Sequence, residues 1–209
     1  FSDYEGDTYT YGETALLIAK FHILFERNGI EKGDKVAFLG KNSRNWGVAY
    51  MATTLYGGVT VPILPDFHKD DIAHIVEHSE SKVLFCEEAI YDKLEKDKFK
   101  HLDAVIKLGD YSLLDAKKKS YGKDLEQLDE LLKEKYPSGL SPENFSAPEI
   151  SPDDIVTLNY TSGTSGYTKG VVLKYSSFMA NLKYARENMP LEPGENIVSF
   201  LPLAHTYGC

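Results

Sequence analysis

The chain has 209 residues, 42% of them hydrophobic and 26% charged, and its 32 acidic against 23 basic side chains give a formal net charge of −9. That composition suits a globular chain with enough apolar material for one well-cored domain or two small ones. The acidic balance excludes a general nucleic-acid binder, which needs a basic field to displace counterions from phosphate, but leaves room for a local anion site at one loop or helix N-terminus.

Gly12 to Asn28 reads as a helix, with Leu17, Phe21 and Leu24 at helical spacing and Gly29 as its C-cap. Val36 to Leu39 is a short apolar run suited to a buried strand. Asn42 or Ser43 can cap a second helix that runs to Leu55 and stops at Gly57 and Gly58. Val59 to Val61 reads as a strand closed by Pro62 and Pro65, Asp70 to His78 as a third helix, Val83 to Cys86 and Ala104 to Ile106 as further strands. Strands and helices alternating at this spacing imply crossover connections. The expected class is α/β, a mostly parallel sheet layered with helices on both faces.

The texture changes from about 109 to 154, where a helical and loop insertion is expected. Asp124 to Lys135 carries a leucine stripe on one face, read as an amphipathic helix packed on its own domain, and Pro137 to Pro152 reads as a long loop. Alternation resumes with a strand at Ile155 to Tyr160, another at Val171 to Leu173, a helix capped by Ser176 and running to about Glu187, and a strand at Ile197 to Leu201. No apolar run approaches the roughly 18 residues of a membrane span, and no signal peptide opens the chain. The only cysteines, Cys86 and Cys209, lack metal-ligand spacing; a disulfide scaffold and a zinc site are not expected, and a reducing cytoplasm is. His22, His68, His74, His78 and His101 have no chemical context in the sequence and are read as surface residues.

The chemistry is concentrated in Tyr160-Thr161-Ser162-Gly163-Thr164-Ser165-Gly166-Tyr167-Thr168-Lys169-Gly170, directly after a strand. The glycines let backbone N–H groups come close to an anion. Thr161, Ser162, Thr164 and Ser165 add hydroxyl donors, and Lys169 adds a compact positive charge. These residues suit a cradle for phosphate oxygens. Two commoner phosphate motifs are excluded. Lys169 is followed by Gly170 rather than Ser or Thr, so the hydroxyl that holds magnesium in nucleoside-triphosphatase loops is missing. Glycines at 163, 166 and 170 do not fit the Gly-x-Gly-x-x-Gly dinucleotide pattern. From the residues alone, a Ser/Thr/Gly-rich surface turn between two strands stays open beside the phosphate cradle.

This stretch resembles the phosphate-loop signature of the adenylate-forming superfamily, Tyr-Thr-Ser-Gly-Thr-Thr-Gly-x-Pro-Lys-Gly, with Ser165 in place of the second threonine and Thr168 in place of the proline. Three more segments are similar to that family and fall in its order: Tyr9-Thr10-Tyr11, Leu55 to Pro62, and Leu201-Pro202-Leu203-Ala204-His205-Thr206-Tyr207-Gly208. The last has the Leu-Pro-Leu-Ala-His pattern of long-chain fatty acyl-CoA synthetases. The resemblance implies an α/β region over 1–209 that is the N-terminal part of an AMP-binding domain. It implies ATP-dependent activation of a fatty acid to an acyl-adenylate and then an acyl-CoA, with ATP and magnesium as cofactors and coenzyme A as co-substrate.

By the same resemblance the ATP phosphates fall to Thr161, Ser162, Gly163, Thr164, Ser165, Gly166, Lys169 and Gly170, and the substrate side to His205, Tyr207 and Gly208. The alternative for His205 is a cap on a strand end. The family's adenine-binding Gly-x-Thr-Glu segment, its magnesium ligand and its late catalytic lysine are expected beyond Cys209. A 209-residue piece is therefore not expected to complete adenylation, and the edge left open after Leu201 predicts self-association. Three functions remain in view: a long-chain acyl-CoA synthetase, another acid or amino acid adenylating ligase, and a nucleotide- or phosphate-binding module without catalysis.

Overall fold

Thr10 sets the first helix. Its hydroxyl accepts the Glu13 amide while the Glu13 carboxylate accepts the Thr10 amide, so two of the free donors of a helix start are satisfied reciprocally. The computed structural model describes residues 2–3, 5–162 (only the backbone at 162), 168–189, 192, 194–199 and 201–205. The helix is α1 (Tyr11–Arg27), followed by β1 (Lys35–Leu39), α2 (Arg44–Leu55), β2 (Val59–Ile63), α3 (Lys69–His78) and β3 (Val83–Cys86). Ser43 caps α2 by accepting the Trp46 amide, and Gly57, at φ +83°, ends it with a turn that other residues rarely adopt. A short helix α4 (Glu88–Tyr91) and a 3-10 turn at Lys96–Lys98 lead to β4 (Ala104–Lys107).

The elements described form a seven-stranded sheet in the order β5-β4-β3-β1-β2-β6-β7. β4, β3, β1, β2 and β6 run parallel, while β5 (Leu113–Ala116) and β7 (Thr168–Lys174) pair antiparallel at the two edges. The α/β class with a mostly parallel sheet is what the alternation implied. Period-two alternation splits the core in two. Val36, Phe38, Val83, Phe85 and Ile106 meet α1 and α2 on one face, and Ala37, Leu39, Val61, Leu84 and Val105 meet α3 on the other.

Several expectations are corrected. β2 does not stop at Val61 but runs through Pro62, which is in register with Phe38 of β1. A proline has no N–H for a central ladder, and on the β6 side the register is confined to Thr60 and Thr157. Two hydroxyls supplement that junction: Thr60 Oγ1 donates to the Val156 carbonyl and Thr157 Oγ1 to the Thr60 carbonyl, each at 3.1 Å. β5 was not expected; Leu113 and Leu114 are followed at once by Asp115 and Ala116, an apolar signal too short to read.

The stretch 124–135 divides at Gln127 into α5 (Ser120–Glu126) and α6 (Leu128–Lys135). Asp124 turns inward there to accept from Arg27 Nε and Asn28 Nδ2, at 2.9 and 3.0 Å. Leu125 and Leu128 pack on the core, and Asp129 pairs with Lys20 of α1 at 2.7 Å, so the leucine stripe faces its own domain.

At the far end β6 (Ile155–Ser162) and β7 form a hairpin followed by α7 (Tyr175–Asn188). α7 starts at Lys174 without a side-chain cap, not at Ser176. The described residues of 197–201 form no strand; Ile197 and Val198 are 66% and 79% exposed, because no neighbouring strand offers them a ladder. On this side the edge of the described sheet is therefore β7. His22, expected on the surface, is a core residue: its Nε2 donates to the Ala52 carbonyl at 3.0 Å between the rings of Tyr56 and Phe145. Burial pushes its pKa down to about 4. Among the described residues no helix is long and apolar enough to cross a membrane.

Candidate functional site

Parallel strands β1, β2 and β6 end on one edge of the sheet, and ligands of open α/β sheets sit outside the carboxyl ends of such strands. Two of the sequence-predicted segments reach that edge. β6 carries the motif to it, and the chain after residue 200 returns to the loop after β1.

In the hairpin, Thr161 is opposite Lys169, Ser162 opposite Thr168, and Tyr160 opposite Gly170. Lys169 and Gly170 thus belong to strand β7. Directly opposed residues share a face of a sheet. The Thr161 hydroxyl and the Lys169 ammonium are therefore side by side at the end of the hairpin, and both are exposed. Among the described residues no carboxylate is within 4.0 Å of the Lys169 amine, although neighbouring Lys174 pairs with Asp153 at 2.9 Å. A lysine not committed to an internal partner is available to an anion, and a hydroxyl beside it adds a directional donor. Thr168 extends the ladder to Ser162; a proline at that position would have no N–H to offer.

Alternate residues face the other way, toward α3. Tyr160 is 7% exposed, and its hydroxyl and His78 Nδ1 share a hydrogen bond of 2.8 Å. Burial raises the pKa of this phenol, so it stays protonated. At Gly170 a Cβ would come within 3.3 Å of the Tyr160 ring. The final glycine of the motif leaves room for its first tyrosine.

The second segment is held by Asn42. Its Nδ2 donates to the Leu201 carbonyl and its Oδ1 accepts the Leu203 amide, both at 2.7 Å. One side-chain amide thereby fixes this backbone by its donor and its acceptor together. Ala204 is buried at 8% in the α1/α2 core, and the His205 amide donates to the Pro202 carbonyl at 2.9 Å, turning His205 outward.

Of the predicted site residues, Thr161, Ser162, Lys169 and Gly170 come together at the hairpin end, and His205 is on the Asn42-clamped segment. Gly163, Thr164, Ser165, Gly166, Tyr207 and Gly208 lie outside the described residues. The sequence reading missed Asn42 as a clamp and His78 as a partner of Tyr160. Neither has a local signal, since each acts on a residue 82 or more positions away. Cys86 offers no reactive thiol: it is buried, which with the Glu87 carboxylate pushes its pKa up to about 12.

The profile of the family described as AMP-binding enzyme matches residues 1–209. The chain belongs to the AMP-binding enzyme family. Among relatives of this family, 4-coumarate–CoA ligase 2 of Oryza sativa subsp. japonica is 30% identical over 97% of this chain and 36% of its own length. The peroxisomal long chain acyl-CoA synthetase 6 of Arabidopsis thaliana is 28% identical over 95% of this chain and 28% of its own length. The chain therefore spans about a third of the length of these relatives. ATP-bound MatB from Rhodopseudomonas palustris has the same fold, with a TM-score of 0.73 at 23% identity, covering 98% of this chain and 37% of that one.

Proposed function

We propose that this chain is the ATP-phosphate- and acyl-binding part of an AMP-forming acyl-CoA ligase, and that its acid is a long-chain fatty acid. Residues 1–209 would then be one α/β region with an insertion at about 109–154. The observation that carries the reading is the Thr161–Lys169 pair at the end of the β6–β7 hairpin, in a chain whose whole length matches the AMP-binding enzyme family.

In adenylation a carboxylate oxygen attacks the α-phosphorus, the bond to the bridging oxygen of the β-phosphate breaks, and pyrophosphate leaves with added negative charge. Donors already aimed at the β- and γ-oxygens stabilise that charge as it develops. Lys169 supplies the charge and Thr161 a hydroxyl, while the strand ladder behind them limits reorganisation. Ser162, Gly163, Thr164, Ser165, Gly166 and Gly170 complete the phosphate cradle in this proposal. His205, with Tyr207 and Gly208, belongs to the acyl side, on the segment that Asn42 clamps to the same sheet edge. Coenzyme A takes the acyl group from the adenylate, and magnesium accompanies ATP.

Fatty acid as substrate is supported by the Leu-Pro-Leu-Ala-His segment and by relatives named as long chain acyl-CoA synthetases. An aromatic acid is the second reading, favoured by the 4-coumarate–CoA ligase relative. Thioester formation by the protein that carries this chain, with palmitate, octanoate, acetate and 4-coumarate in parallel, separates them. Palmitoyl-CoA formed with release of AMP is expected. Preference for 4-coumarate would replace the substrate, and AMP release with none of the acids would overturn the ligase.

A further inference from the structure

Tyr160 is held from two sides, one of them by a residue with no part in the phosphate cradle. The last turn of α3 supplies His78, whose Nδ1 is 2.8 Å from the phenol oxygen, with the two rings at 89° and their centroids 5.8 Å apart. Strand β7 supplies Gly170, where even a methyl group would meet the ring at 3.3 Å. His78 is itself exposed at the surface of α3, its ring centroid 5.3 Å from that of His74 one turn earlier and tilted 42° to it. An exposed histidine is under no packing demand to reach 82 residues along the chain to a buried phenol. The bond ties α3, which is anchored in the core by Ile72, Ile75 and Val76, to the first residue of the motif.

Through the backbone this tie reaches the exposed pair at the hairpin end. Thr161 is the next residue on β6, and its partner Lys169 is next to Gly170 on β7. The far side of β7 has no neighbouring strand in the described sheet, and both α7 and the described part of 192–199 leave large apolar side chains exposed. Twisting or sliding of the hairpin is opposed by β2 at the Thr60–Thr157 junction and, nearer its end, by α3 through Tyr160. A shift of the hairpin by a fraction of an ångström moves the Thr161 hydroxyl and the Lys169 ammonium together, because they are directly opposed.

We infer that His78 is a positioning residue: through its hydrogen bond to Tyr160, seated against Gly170, it sets where Thr161 and Lys169 meet a polyphosphate. The inference rests on the ATP reading proposed above and adds a residue outside the motif to that site.

The test is calorimetric binding of inorganic tripolyphosphate to the 209-residue chain, with the thermal midpoint measured in parallel. Tyr160→Phe and His78→Leu each remove the same bond, and each is expected to weaken tripolyphosphate about fivefold, the range of one net hydrogen bond. The double variant is expected to be no weaker than either single one. His78→Asn places an amide near the position of Nδ1 and is expected to restore affinity to within about twofold of the parent. Val36→Ala, in the core away from the hairpin, serves as the control that lowers the midpoint without changing affinity. Wild-type affinity in both Tyr160→Phe and His78→Leu would overturn the inference. So would additive losses in the double variant, or a His78→Asn that is as weak as His78→Leu, since either would reduce His78 to packing. A folded parent chain that takes up no tripolyphosphate would overturn the ATP reading itself, and the inference with it.

Discussion

Strands β1 and β7 are written in similar residues, Lys-Val-Ala-Phe-Leu and Thr-Lys-Gly-Val-Val-Leu-Lys. β1 has a parallel neighbour on each side and helices over both faces, and its Val36, Ala37, Phe38 and Leu39 are wholly buried. Among the described strands β7 pairs only with β6, and Val171 and Val172, on opposite faces, are 44% and 53% exposed. No residue of α7 beside it is fully buried. Topological place, not composition, decides which apolar strand becomes core. The candidate site is built where the two regimes meet: β6 is anchored on β2 by threonine hydroxyls and on α3 through Tyr160, while its partner strand faces outward.

The largest expected effect breaks this comparison at the core. Phe38 stacks on Phe85 at 5.4 Å and 7° and touches Trp46 and Tyr50. Phe38→Ala should cost about 3–5 kcal/mol in denaturant unfolding. Val172→Lys, on the open edge, should change stability by less than about 0.5 kcal/mol while lowering self-association in light scattering, because a lysine on an edge strand opposes strand pairing. Equal losses for the two substitutions would mean that β7 is covered in solution.

Next in size is a pH effect confined to the buried side. His22 has a pKa of about 4 in the fold, lowered chiefly by burial and further by Lys135, against about 6.5 when unfolded. Between those values the unfolded chain binds more protons, so stability falls as pH is lowered from about 6.5 to 4 and is unaffected by this group above that window. The expected contribution is about 3 kcal/mol, measured as the change in urea midpoint free energy across the window. His22→Phe should flatten that part of the profile; an unchanged slope would remove His22 as its source.

The scaffold was legible because its signals are local. Gly29 follows α1, Ser43 and Gly57 punctuate α2, and the buried runs at 36–39 and 83–86 are β1 and β3 nearly to the residue. Where the reading failed, the deciding partner was distant. The stretch 197–201 has a strand's composition, but its described residues join no ladder among the described strands. Pro62 is tolerated in β2 because the demand from β6 is confined to one register position. His22 is buried because a 17-residue amphipathic helix meets α2 at that turn. The site motif was legible by resemblance, and its exposed Thr161–Lys169 pairing needed the hairpin register. Asn42 and His78 could not be found without it, since their partners are on other elements.

A hairpin end that grips the phosphate tail of a nucleotide should betray itself phosphate by phosphate. The decisive experiment is a titration of ATP into the 209-residue chain and into Lys169→Ala, followed by the ³¹P shifts of the three phosphates. The β- and γ-phosphate signals are expected to move on binding to the parent chain. Lys169→Ala is expected to weaken the affinity about tenfold, the order of one charge-assisted contact, with an unchanged melting temperature. Equal affinity in both chains, or shifts confined to the α-phosphate, would refute the grip.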